Sequence, residues 1–77
     1  MRKVTIEALK ARRIPPPSVA RAILRAAGVT HQQVADELGV HRVTVTRWGL
    51  GTRKPRGQLL EAYAALLEEL EHEVLST

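Results

Sequence analysis

The sequence predicts an all-α bundle of four main helices preceded by a short N-terminal element. Three observations predict it. Apolar residues recur at spacings of three and four between Val19 and Val74, Gly28 and Gly39 close two short periodic segments, and the 44% hydrophobic residues are mainly Leu, Val, Ile and Ala, with no Phe. At 77 residues the chain makes one domain and leaves no room for a second.

The first element is the least determined. Val4, Ile6 and Ala8 alternate as in a strand, whereas Thr5 is placed to cap a short helix carrying Ile6, Leu9 and Arg13; we take the helix. Pro15, Pro16 and Pro17 then impose an extended, stiff elbow, because each fixes its own φ and restricts the residue before it. Residues 1–17 are accordingly read as an N-terminal segment and elbow, and residues 18–77 as the folded domain.

A helix opens at Pro17 or Ser18, carries Val19, Ile23, Leu24 and Ala27 on one stripe, and stops at Gly28. Thr30 is a natural N-cap for a second helix with Val34, Ala35 and Leu38 at helical spacing, ended by Gly39 with Val40 as a turn plug. Val43-Thr44-Val45-Thr46 is β-branched and alternating, so local propensity favours a strand. A strand there has no hairpin partner, however, and Val45 with Trp48 keeps an i, i+3 spacing, so we assign a helix over 41–48 with Val45 and Trp48 in the core. Gly49, Gly51, Pro55 and Gly57 mark a loop over 49–57. A last helix runs from about Gln58 to Leu75, with Leu60, Tyr63, Leu67, Leu70 and Val74 repeating at three and four. That stripe exceeds what a small core consumes, which makes Leu60, Leu67, Leu70 and Val74 a candidate dimer surface.

Charge is segregated along the chain. The formal net charge is +4, and residues 42–56 hold Arg42, Arg47, Arg53, Lys54 and Arg56 with no acid. Residues 61–73 hold Glu61, Glu68, Glu69, Glu71 and Glu73 with no Lys or Arg. One part is thus suited to a polyanion and the other is not, the footprint expected of nucleic-acid binding. Arg12, Arg13, Arg21 and Arg25 are left open between a DNA-reaching arm and simple solubility.

Other chemistry finds little support. His31, His41 and His72 fall on different elements without ligand spacing, so no metal site is expected, and no Ser, His and acid combination suggests a catalytic triad or an enzyme. No cofactor and no small-molecule ligand is expected. The absence of cysteine and of a long apolar run points to a cytoplasmic, non-membrane protein.

Two short helices joined by a tight Gly-Val turn, the second flanked by basic residues, form the pattern of a helix-turn-helix. Thr30 to Pro55, THQQVADELGVHRVTVTRWGLGTRKP, closely resembles the core of the lambda-repressor-like Xre/Cro family of DNA-binding domains, and the likeness extends from about Ser18 to Leu70. The resemblance implies that the second motif helix enters the major groove and that His41, Arg42, Val43, Thr46 and Arg47 meet base edges. It implies that Thr30, His31 and Gln32 grip a phosphate. The residue chemistry agrees: Arg can donate twice to guanine, and Val and Thr methyls suit a thymine methyl. Arg53, Lys54 and Arg56 would follow the backbone and set register and salt dependence.

The chain departs from the family pattern at two places. His31 stands where Gln is usual, and Gly49-Leu50 replaces the usual Glu and its polar or basic neighbour, so the second motif helix is expected to end near Trp48. The expected activity is sequence-specific binding of double-stranded DNA as a small transcriptional regulator, a repressor, acting as a homodimer at least on DNA. Two alternatives stay open: an architectural or recombination-directionality protein, and a protein-interaction module of antitoxin or adaptor type using the last helix.

Overall fold

The computed structural model describes residues 14–76. These form four helices, α1 Pro17–Ala27, α2 His31–Leu38, α3 Arg42–Leu50 and α4 Gly57–Ser76, with no strand among the described residues. The short element expected over Val4–Arg13 lies outside them. Helix α2 packs on α3, while α1 packs on both α4 and α3, and α2 also touches α4.

Each boundary has a local cause. Pro17 sits in the first turn of α1, where a missing N–H costs nothing, and the Ala20 N–H donates to the Pro16 carbonyl at 2.9 Å. Thr30 caps α2 through a reciprocal pair: its hydroxyl accepts from the Gln33 N–H at 3.1 Å, and the Gln33 side-chain oxygen accepts from the Thr30 N–H at 2.8 Å. Gly39 takes a left-handed φ of 71°, which lets the chain reverse within one residue, and the Val40 N–H then donates to the Ala35 carbonyl at 3.0 Å. Val40 packs, half-buried, against the core, as a plug should.

Helix α3 shows tertiary packing overriding propensity. Relative to alanine, four β-branched residues cost at most about 0.7 kcal/mol each in a helix. Burial of Val45 and Trp48, 0% and 4% exposed, contributes about 1.5–3 kcal/mol for each large apolar side chain. The helix also runs through Gly49 to Leu50, longer than the expected 41–48, and the loop shortens to residues 51–56. Gly49 is buried against another helix, so packing holds a residue that propensity alone would release, and Gly51 supplies the left-handed turn, with φ 79°.

The core joins Ala20, Ile23 and Leu24 of α1, Val34 and Ala35 of α2, Val45 and Trp48 of α3, and Tyr63, Leu67 and Leu70 of α4. Trp48 and Tyr63 meet as a tilted ring pair with centroids 4.7 Å apart. Two of the four residues expected on a dimer surface are taken up by this core. Leu67 (1% exposed) and Leu70 (9%) are consumed by the chain's own core because α1 lies along α4, whereas Leu60 and Val74 are half-buried. No helix of the described residues is long and apolar enough to cross a membrane.

Candidate nucleic-acid interface

The second motif helix divides cleanly into two faces. At about 100° per residue, Arg42, Val43, Thr46, Arg47 and Leu50 fall within one arc of roughly 140°, Val45 and Trp48 fall opposite it, and Gly49 lies at its edge beside Arg42. The structure follows that division: Val45, Trp48 and Gly49 are buried, while Arg42, Val43, Arg47 and Leu50 are exposed. His41, also exposed, is the N-cap residue and makes no side-chain cap. Thr46 differs from its neighbours on the outer arc. It is half-buried, donates its hydroxyl to the Arg42 carbonyl at 3.2 Å, and holds the same oxygen 3.0 Å from His31 Nδ1.

The basic loop is tied to the end of α3. The Arg47 carbonyl accepts from the Thr52 N–H at 3.1 Å, the Arg53 N–H at 3.4 Å and the Thr52 hydroxyl at 3.3 Å. Arg53, Lys54 and Arg56 project from this anchored turn, all exposed. With Arg42 and Arg47 they make a set of five cations along α3 and the segment that follows it.

The residues at the start of α2 are engaged within the chain. Thr30 uses both its hydroxyl and its N–H in the capping box, Gln32 donates its side-chain amide to the Asp36 carboxylate at 2.8 Å, and His31 pairs with Thr46. What the first turn has left for an anion is the backbone N–H groups of His31 and Gln32, which lack an intrahelical acceptor by geometry.

Sequence reasoning did not assign Arg21. Its guanidinium Nη1 donates to the Gly49 carbonyl, and its aliphatic stem lies over Gly49 so closely that a Cβ there would stand 3.3 Å from Cγ and 3.6 Å from Cδ. His31 Nε2 lies 3.9 Å from the same point. No pattern in the sequence pairs residues this far apart; the departure from the family pattern at Gly49 was the one signal there.

A family model described as helix-turn-helix matches residues 21–75, which span α2, α3, the C-terminal part of α1 and nearly all of α4. The chain belongs to this family. It is the Xre and lambda-repressor-like helix-turn-helix family of DNA-binding regulators, which is not typically enzymatic, and the four-helix architecture is consistent with its fold. No curated protein and no solved structure matches the chain significantly. Within the helix-turn-helix, α2 and α3 are the motif helices and Gly39-Val40 is the turn.

Proposed function

We propose that the protein is a sequence-specific regulator that reads duplex DNA by laying α3 in the major groove and represses by occluding promoter DNA. The observation that carries this is the two-faced α3, which presents Arg42, Val43 and Arg47 outward on a helix seated by Val45 and Trp48. Arg42 and Arg47 donate to guanine O6 and N7, while Val43 and the Thr46 methyl meet thymine methyls. Thr46 brings only its methyl, because its hydroxyl already has two partners. His41 stands at the groove entrance. Arg53, Lys54 and Arg56 bind phosphates flanking the site, and the first turn of α2, begun by the Thr30 cap, offers the His31 and Gln32 backbone N–H groups to one more.

A module this small makes few contacts, so useful affinity calls for a homodimer on a two-fold operator with half-sites about one helical turn apart. With Leu67 and Leu70 in the core, that pairing must use other residues.

The test is selection from a randomised duplex pool at two salt concentrations, with wild type and an Arg42→Ala, Arg47→Ala variant. A palindromic motif that the variant loses supports the reading. Salt-sensitive binding without a motif replaces it with an architectural role, and no binding removes the DNA reading and leaves a protein partner to be sought.

A further inference from the structure

Helix α3 is poorly equipped to hold itself. It has nine residues, Val43 through Thr46 are β-branched, Gly49 lies in its last turn, and His41 gives it no side-chain cap. Val45 and Trp48 seat one side of it in the core. Two further contacts grip it from the side of α1 and α2. Arg21 crosses over Gly49 and donates to its carbonyl, and His31 bonds Thr46 while its other ring nitrogen flanks Gly49. Both gripping residues are half-buried and neither lies on the outer arc of α3.

We propose that Arg21 and His31 are positioning residues that set the depth and rotation of α3 in the groove, so that they determine base specificity without touching a base. This rests on α3 being the reading helix. The geometry supplies the reason. Gly49 has no side chain to offer, so its carbonyl is what α1 can hold, and only a residue without Cβ lets the Arg21 stem approach this closely. The His31 bond fixes the Thr46 hydroxyl and so selects which part of that side chain faces outward. A small change in how α3 sits displaces Arg42 and Thr46 from base edges while leaving phosphate contacts from the flexible cations of the loop largely intact, because bidentate pairing tolerates little misalignment.

The experiment compares Arg21→Met, Arg21→Lys, His31→Ala and, as a charge control, Arg25→Met, since Arg25 is exposed on the same helix as Arg21. Each is put through the duplex-pool selection, binding to an unrelated duplex, and amide hydrogen exchange of α3. Arg21→Met and His31→Ala should each lose tenfold or more in discrimination between the selected site and single mismatches. Binding to unrelated duplex should change no more than in Arg25→Met, and exchange at the end of α3 should speed up. Arg21→Lys, which keeps a donor and a long stem, should recover part of the discrimination. Unchanged discrimination in Arg21→Met overturns the proposal. So does a uniform loss on all sequences equal to that of Arg25→Met, which would make Arg21 a phosphate contact. A wild-type chain that enriches no motif overturns the reading role of α3 and this proposal with it; faster exchange in Arg21→Met would then leave the grip as a purely structural contact.

Discussion

Replacing Gly49 with alanine sets two effects of similar size against each other, and the structure decides between them. In a helix interior Gly→Ala ordinarily stabilises by about 0.5–1 kcal/mol through helix propensity. Here the new Cβ would stand 3.3 Å from Arg21 Cγ, so the stem must move by a few tenths of an ångström. The stem cannot move freely, because its guanidinium end is bonded to the Gly49 carbonyl. Giving up that bond costs about 1.5–3 kcal/mol for a charged donor, with the lower end appropriate to a half-buried group. Gly49→Ala should therefore lower stability by about 1 kcal/mol, or about 4–8 °C in Tm for a domain of this size. In an Arg21→Ala background the obstacle is gone, and the same substitution should raise stability by about 1 kcal/mol. Melting of wild type, both single variants and the double variant by far-ultraviolet circular dichroism gives the cycle, with an expected coupling near 2 kcal/mol. A Gly49→Ala protein that melts above wild type, with no coupling to Arg21, refutes the reasoning.

Three further outcomes follow from burial, capping and titration. Leu67→Ala, at a position 1% exposed, should cost about 2–5 kcal/mol and largely unfold so small a domain, whereas Leu75→Ala, at a position 79% exposed, should shift stability by less than about 0.5 kcal/mol; denaturant unfolding of both checks this. Thr30→Ala breaks the capping box and should cost about 1 kcal/mol, visible as a lower melting temperature and faster exchange at the start of α2. Burial raises the Tyr63 pKa above its usual 10.0, so the fold binds this proton more tightly than the unfolded chain does. That stabilisation is fully present below the unfolded pKa and is lost as pH rises from about 10 through the folded value. A Tyr63→Phe protein should accordingly lose less stability than wild type over the same alkaline range.

Most of the helical frame was legible because its signals are local. Pro17, the Thr30 cap, Gly39 and the three-and-four spacing of α4 each act within a few residues, and the helices start and stop within about a residue of where those signals lie. Two features escaped because they are set by contacts between distant parts of the chain. The surplus apolar stripe of α4 looked free only because spacing reports which residues share a face, not how much of that face another helix covers; α1 covers Leu67 and Leu70. The end of α3 was placed too early because glycine propensity was weighed without the Arg21 contact that keeps Gly49 inside the helix. At the interface, the exposure of Arg42, Val43 and Arg47 followed from their angular positions on a helix with Val45 and Trp48 inward. The pairing of His31 with Thr46 did not, since those two residues become neighbours only once α2 and α3 are packed.

The composition of α3 joins these points. Short β-branched side chains such as Val43 and Thr46 are suited to meeting a thymine methyl, yet they lower the intrinsic stability of the helix that carries them. A helix built this way cannot rely on propensity and must be held by the rest of the domain, on the inside by Val45 and Trp48 and on the flank by Arg21 and His31. Where relatives usually carry Glu, Gly49 offers no carboxylate, and the backbone carbonyl becomes the acceptor that α1 reaches. Restoring a side chain at position 49 would therefore not simply return a family feature, because it would push aside the arginine that now holds the helix in place.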